Sequence, residues 1–500
     1  MNYFQRTNGI ILPVSSLPSA HGIGTLGKAA FDFVDFLSKS NVHIWQILPL
    51  NPTGYGDSPY QSFSSNGLNY YFIDLDELVE QKLLLKEEIR DGDFYIDCRR
   101  VDYSLLFKNR LKLLKKAYMR FDKECNEFLN FLKEGKYNDF AFYMTMKKSQ
   151  DYRPWYEWPK EIRTYSFQIE DECLRTHKED YLFFQWTQFE FIRQYRKLKE
   201  YAHSKQISLM GDMPLYLARD SVEVYKYPKM FLLDRNLNPT LVAGCPPDYF
   251  SKDGQLWGNP IYNWSYMEKN GYLWFHQRIL DNLQLFDILR IDHFRGLSGY
   301  YVIPFGLKTA RIGQWRKGPG MDLFKGFTDL PIVAEDLGEM DDDVKKLLKE
   351  TGFPGMKVLE FAFDGNEEND HLPSNSTKNY VVYTGTHDNE PLFGYLSHLN
   401  EIDLDTYKSS LKKQCLLFDV DYKDDNLKQL VYTTIKLAYA DFCNIAIIPL
   451  QDLLCLGDES RMNVPSRVDG KNWLYRFSGS DFTEELSSFI QENVKRYKRN

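Results

Sequence analysis

Cysteine is scarce in this chain and scattered. There are seven in 500 residues, Cys98, Cys125, Cys173, Cys245, Cys415, Cys443 and Cys455, an odd number with no C-x-x-C pair. That excludes a disulfide framework and a thiolate zinc site, and it fits free thiols in a reducing compartment. Long apolar runs are missing too: none approaches the length that spans a bilayer, and the opening MNYFQRTNGI lacks the apolar segment of a secretory signal. A soluble, cytoplasmic protein with no membrane partner is expected. Positive charge is in deficit, 62 Lys and Arg against 70 Asp and Glu for a net −8, so there is no electrostatic footprint for nucleic acid. The basic run at 495–499 is expected to be a solvated terminus. No tandem repeat or low-complexity tract is visible.

What is present is ordinary for a globular enzyme, with 43% apolar and 26% charged residues. Aromatics reach 16%, an excess that fits a packed core by default and also a ligand with flat, weakly polar faces. The length exceeds one small domain, but a barrel with insertions can hold all of it.

Eight short apolar segments punctuate the chain, at 9–15, 42–50, 207–212, 288–291, 331–336, 356–363, 380–384 and 444–452. Amphipathic helical stretches separate most of them, among them 181–206, 273–286, 340–351 and 426–442. Helix-separated apolar strands predict a parallel sheet, and eight predict a closed (β/α)8 barrel. The fold class is therefore α/β, one catalytic barrel domain over 1–500. A mostly helical insertion at about 65–180 follows the second strand, and a second insertion spans about 220–272. The second strand opens into NPTGYGDSPYQSFSSNG, a long Gly/Ser/Pro/Tyr loop of the kind that is usually functional.

The stretch DILRIDHFRG, 287–296, carries the densest chemistry. On its strand Arg290 and Asp292 share one face and Leu289 and Ile291 the other. An acid beside an arginine stays ionised, and an ionised carboxylate at a strand end is the form of a nucleophile; a structural ion pair looks the same. In such barrels the active site lies at the C-terminal strand ends. Acids stand there after the third, fourth, fifth and seventh strands: Asp212, Asp292, Glu335 and Asp388. Four converging acids repel one another, so they need a cation. One answer is a divalent metal, with His293 and His387 as further ligands. The other is an oxocarbenium-like centre between carboxylates, which is glycoside chemistry. The loop aromatics Tyr55, Tyr60 and Trp257 favour the second, since sugar C–H faces stack on rings.

IDHFRG, VAEDLG, TGTHDN, GDMPLYLA, GYGDSPYQS and SLPS-x-x-GIGTLG together resemble the amylomaltases, the 4-α-glucanotransferases of glycoside hydrolase family 77. The resemblance runs from Leu12 to about Trp473, with the motifs in family order. It implies a barrel of the α-amylase type with added subdomains. By this resemblance Asp292 is the nucleophile, Glu335 the general acid/base and Asp388 the transition-state stabiliser. Tyr60, Asp212, Arg290, His293 and His387 look like sugar-binding neighbours of the scissile bond. The segment 247–260 looks like a loop over the cleft, with Gln255 and Trp257 near the donor. Asn463 belongs to RMNVPSRVDG, where Ser466 departs from the glycine of the family pattern. The resemblance implies no cofactor and no metal, α-1,4-glucans as partners with glucose as an acceptor, and a monomer or weak homodimer.

One motif points elsewhere. His21–Gly27 contains G-x-G-x-x-G between a strand and a helix, which alone suggests dinucleotide binding. Pro13 and Pro18 interrupt the approach, and the next strand ends in Pro49-Leu50-Asn51-Pro52 instead of an acid about 20 residues on.

Overall fold

The structure, a computed structural model, describes residues 4–90, 93–247, 252–338, 341–465 and 467–499. Ser466 and positions 248–251 of the cleft-loop segment lie outside the described residues. The described residues form twelve strands: β1 (Thr7–Ile11), β2 (Ile44–Gln46), β3 (Ser208–Met213), β4 (Leu241–Cys245), β5 (Gln255–Pro260), β6 (Ile288–Ile291), β7 (Gly299–Pro304), β8 (Gln314–Lys317), β9 (Ile332–Ala334), β10 (Gly355–Val358), β11 (Tyr380–Tyr383) and β12 (Ile445–Pro449).

Eight of them form one parallel sheet in the order β10-β11-β12-β1-β2-β3-β6-β9. The two ends of that order meet: Ala334 N–H, at the end of β9, donates to the Pro354 carbonyl before β10 (2.8 Å). Met356 N–H donates to the Asp336 carboxylate (2.6 Å) and completes the seam. The result is a (β/α)8 barrel. Its inward faces carry Ile11, Ile44, Met210, Ile288, Val333, Met356, Val381 and Ile445, a packed apolar plug. The opposite faces, among them Leu209, Leu289, Ile291 and Ile332, join the larger core under the helices. Side chains alternate along a strand, so Asp212, Arg290, Asp292 and Glu335 have the parity of the barrel interior.

Several strands are shorter than the sequence predicts; 331–336 is strand only at Ile332–Ala334 and 444–452 only at Ile445–Pro449. The 42–50 segment is strand only at Ile44–Gln46, with the pairing carried one step on by Ile47 N–H to the Met210 carbonyl (2.9 Å). The 356–363 segment leaves the strand at Val358 and turns through a 3-10 turn at Leu359–Phe361. Between β2 and β3 the chain is helical, ending in the long helix Lys178–Ser204. Two buried glutamines on that helix clasp the loop after β2. Gln188 bonds the backbone of Leu68 in both directions (2.7 and 3.0 Å), and Gln194 does the same to Asp74 (2.7 and 3.3 Å). The loop that carries Tyr60 is thus fixed at its base.

Sequence reading places no strand in 220–272 or 296–320. The structure places β4 and β5 in the first and β7 and β8 in the second, as one antiparallel sheet in the order β5-β4-β7-β8. The pattern is hidden because a bulge breaks the β4–β5 register, and β8 is largely exposed with little apolar alternation. The segment 220–272 is therefore not self-contained: it shares a sheet with residues that follow β6.

The terminal basic run is not simply solvated. Arg499 is fully buried. Its guanidinium donates to the carbonyls of Tyr439 (2.6 Å), Asp441 (2.9 Å), Thr7 and Cys443 (3.1 Å each), Asn444 (3.2 Å) and Ala438 (3.3 Å). It satisfies carbonyls at the end of helix Leu427–Ala440 and at the entrances to β1 and β12, where a cation also complements the helix dipole. Nothing in a run of exposed-looking Lys and Arg signals one buried member. No helix among the described residues is long and apolar enough to cross a membrane.

Candidate active site

The strand-end acids meet at the barrel mouth. Asp212 on β3 and Arg290 on β6 are direct register partners, and Arg290 Nη1 reaches Asp212 Oδ2 at 2.6 Å. The same nitrogen lies 3.3 Å from Asp292 Oδ1. Backbone pairing runs one step past the strands, with Glu335 N–H donating to Ile291 (3.0 Å) and Phe294 N–H to Glu335 (2.9 Å). Asp292 and Glu335 are thereby clamped on adjacent strands, whose spacing is about 4.8 Å.

Both Glu335 oxygens accept backbone N–H groups, from His293 and from Leu337, each at 2.7 Å. The His293 donor is aimed by a left-handed backbone, φ 50°. Gly296 makes room for the imidazole: a Cβ there would sit 2.7 Å from His293 Cδ2. The glycine of IDHFRG is thus a packing requirement.

Across the mouth, the segment after β11 presents His387 and Asp388. Asn463 Nδ2 donates to Asp388 Oδ1 (2.6 Å), and His387 Nε2 lies 3.4 Å from the same oxygen. Tyr60 ties the two sides together. Its hydroxyl bonds Asp212 Oδ2 (2.6 Å) and His387 Nε2 (2.9 Å), and its ring stacks on His387 with centroids 5.3 Å apart. On the Glu335 side, Trp257 stands edge-on to His293 (4.8 Å) and its indole N–H donates to Gln255 Oε1 (3.0 Å). All eleven residues singled out from sequence therefore belong to one connected cluster. Tyr55, the third loop aromatic, is instead 75% exposed.

The electrostatics depart from expectation at one point. Burial pushes Asp292 well above the usual carboxylate range; Arg290 opposes this, while Asp212, Glu335 and Asp388 add to it. Glu335 is raised as well, by burial first, against Arg290 and its two backbone donors. Asp292 is thus not held low by its arginine, because burial outweighs Arg290, which lies closer to Asp212. Burial lowers His387, and lowers His293 to about 3, so both imidazoles are neutral. His293 Nε2 and Asp212 Oδ1 are buried with no hydrogen-bond partner.

Several neighbours went unmarked in sequence. Trp473 packs on Tyr60 (5.7 Å) and His387 (6.0 Å), Tyr216 on Trp257 (6.3 Å), and Tyr383 donates to Gln46 (2.9 Å) inside the barrel. Arg461 donates to the Asp388 carbonyl (3.0 Å) and to Glu390 (2.9 Å). Tyr216 lies in GDMPLYLA and Arg461 in RMNVPSRVDG, so both motifs contained the signal without ranking it. As a metal site the acid cluster fits poorly. Among the described residues, the only three His, Cys, Asp or Glu side chains with ligand atoms mutually within 4.8 Å are Glu390, His398 and Asp458, and the strand-end acids are not among them. A cavity of about 510 Å³ between helix Lys28–Lys39 and residues 479–487 touches none of the cluster.

The sequence model described as 4-alpha-glucanotransferase, for glycoside hydrolase family 77, matches residues 12–482. The chain belongs to this family. The 4-alpha-glucanotransferase of Clostridium butyricum is 41% identical over 494 residues, covering 97% of this chain and 99% of its own. The chloroplastic/amyloplastic 4-alpha-glucanotransferase of Arabidopsis thaliana is 38% identical over 97% of this chain and 84% of its own. Among solved structures, the amylomaltase of Streptococcus agalactiae in complex with acarbose superposes with a TM-score of 0.93 at 38% identity, over 99% of this chain and 100% of that one. The chain is accordingly an enzyme of the 4-alpha-glucanotransferase family.

Proposed function

We propose that the protein moves a segment of an α-1,4-glucan to the 4-hydroxyl of another glucan or of glucose, by a retaining double displacement in maltodextrin metabolism. The observation that carries the mechanism is the clamping of Asp292 and Glu335 on adjacent strands. Retention requires one carboxyl to attack and one to exchange a proton, and two acids on adjacent strands support that reading.

In the first step Glu335 gives its proton to the glycosidic oxygen while an Asp292 oxygen bonds to the anomeric carbon. The C–O bond to the leaving glucan breaks, and that chain departs with a free 4-hydroxyl. Asp388 stabilises the positive charge that develops at the sugar ring. In the second step ionised Glu335 takes the proton of the incoming 4-hydroxyl, whose oxygen bonds to the anomeric carbon as the Asp292 ester breaks. One residue thus serves as acid and then base. The first step needs Glu335 protonated and Asp292 ionised.

Neutral His293 and His387 can donate to and accept from sugar hydroxyls without adding charge. The unpartnered His293 Nε2 and Asp212 Oδ1 are free for such bonds. Gln255, Trp257, Tyr60 and Asn463 would line the donor sugar, with the Trp257 and Tyr60 rings available for stacking. The free thiols fit a cytoplasmic enzyme.

Maltotriose is the test. Transfer conserves the number of glycosidic bonds, so glucose and a ladder of longer maltodextrins should form while total reducing ends stay nearly constant. Reducing ends that rise in step with glucose would identify a hydrolase instead.

A further inference from the structure

Glu360 lies one barrel strand away from the reacting carboxylates, and no step above uses it. It sits in the 3-10 turn after β10, where its N–H donates to the Thr384 carbonyl (3.0 Å) and extends the pairing with β11. Its side chain is buried. Oε1 accepts from Asn389 Nδ2 (2.9 Å), and Oε2 has no hydrogen-bond partner. Asn389 Oδ1 takes both the N–H (2.9 Å) and the hydroxyl (2.8 Å) of Thr386. Thr386 Oγ1 in turn accepts the N–H of Asp388 (3.3 Å). A hydrogen-bond chain thus runs from Glu360 through Asn389 and Thr386 to the backbone of Asp388. Asn463 and Arg461 hold the other side of the same turn.

We infer that Glu360 is a positioning residue, which through Asn389 fixes the turn 384–389 and so holds His387 and Asp388 over the barrel mouth. The inference rests on the role given to Asp388 above. A buried carboxyl does this best when neutral, since an ionised one with an unpartnered oxygen is costly.

The surroundings keep it neutral. Burial, opposed by the Asn389 bond, pushes Glu360 up to about 8; Asp452 and Glu390 add to the rise and Arg461 opposes it. Asp452 accepts from Thr384 Oγ1 (2.5 Å) and Leu392 N–H (2.7 Å), and burial raises it to about 6. Glu390 is engaged by Arg461 and by His398 (3.1 Å). Tyr395 and Tyr407 complete the surroundings, both raised by burial with Glu360 contributing. Because Glu360 is raised above its ordinary 4.5, the stability it contributes is full below that value and is lost as pH rises through about 8. The same ionisation loosens the turn.

The test compares wild type with Glu360→Leu, Glu360→Gln, Asn389→Ala and Asp388→Asn, with melting temperatures measured for each. Misplacing a catalytic group by about 1 Å costs roughly 100-fold. Glu360→Leu should therefore lower kcat about 10- to 100-fold while KM changes less than about threefold. Glu360→Gln, an isostere of the neutral acid, should restore most of that kcat. Asn389→Ala should reproduce the loss, and the Glu360→Leu/Asn389→Ala double variant should be no worse than either single variant. With α-glucosyl fluoride, whose departure needs little protonation, glucosyl-enzyme formation in wild type should decline as pH passes about 8. Glu360→Gln should remove that decline. A folded Glu360→Leu with wild-type kcat, losses that multiply in the double variant, or a decline that persists in Glu360→Gln would each overturn the inference. If Glu360→Leu fails to fold, the Gln pH profile and Asn389→Ala decide. Full activity in Asp388→Asn would instead remove the role given to Asp388.

Discussion

Arg290 is shared unequally between two acids, at 2.6 Å from Asp212 and 3.3 Å from Asp292. Asp212 is its cross-strand partner, so the arginine is anchored in the barrel wall and only leans on Asp292. That geometry explains why burial and the other carboxylates prevail at Asp292, and it sets the first expectation. Asp212→Asn removes a neighbouring negative charge and releases Arg290 towards Asp292. Both effects lower the Asp292 pKa, so the acid limb of the kcat/KM profile should move to lower pH. The rate at the optimum should still fall, since Tyr60 and Arg290 lose a charged partner. A limb that stays in place or moves up would contradict the assignment.

Asp292 and Glu335 should fail differently. In Glu335→Ala, a glucosyl fluoride needs no acid, so the first step proceeds and the second lacks its base. The covalent glucosyl-enzyme should accumulate, and azide, which needs no deprotonation, should release it as the α-glucosyl azide. Asp292→Ala should show neither. Intact-protein mass spectrometry on the same donor reads both variants, and the reverse pattern would exchange the two roles.

Glutamate at 335 is raised above its ordinary value, chiefly by burial, so it keeps its proton to higher pH than a free glutamate. With a natural glucan donor, kcat should fall as pH rises, and with the fluoride donor that part of the fall should disappear. Rate profiles on the two donors check this. Identical alkaline limbs would mean that proton delivery to the leaving sugar does not limit the reaction.

Chelation should leave activity intact. The covalent route needs Asp292 free to attack and Asp388 free to stabilise charge. The one three-residue group with convergent ligand atoms among the described residues, Glu390–His398–Asp458, lies outside the acid cluster. Loss of activity on exhaustive dialysis against a chelator, restored by a divalent ion, would refute the mechanism.

Arg499→Ala should destabilise the fold without touching the site. It strips the guanidinium from six carbonyls under the barrel. Four of the six keep another donor, Tyr439, Asp441 and Cys443 from Arg6 and Asn444 from the Thr7 N–H, so the loss is expected to total roughly 1–3 kcal/mol, about that of one unsatisfied buried acceptor. Thermal or urea unfolding measures it. A loss under about 0.5 kcal/mol, the range of an ordinary surface change, would show that the terminus is solvated after all.

The sequence by itself determined the barrel and which acids stand at its mouth. Eight apolar segments with helices between them leave few architectures, and a motif such as IDHFRG or TGTHDN carries its side chains on a strand end whose parity is local. That is why Asp212, Arg290, Asp292, Glu335 and Asp388 could be placed at the mouth from spacing and resemblance. Tertiary structure decided what depends on partners far along the chain. The β4–β8 sheet needs β4 and β5 to find β7 and β8 across an intervening barrel strand. Arg499 is buried because carbonyls of Thr7 and Asn444 surround it, and Glu360 is raised because burial, with Asp452 and Glu390, outweighs the Asn389 bond and Arg461. The division of Arg290 between two acids is of the same kind. Local periodicity encodes which way a side chain points, but the dielectric and the partners it meets are properties of the assembled fold.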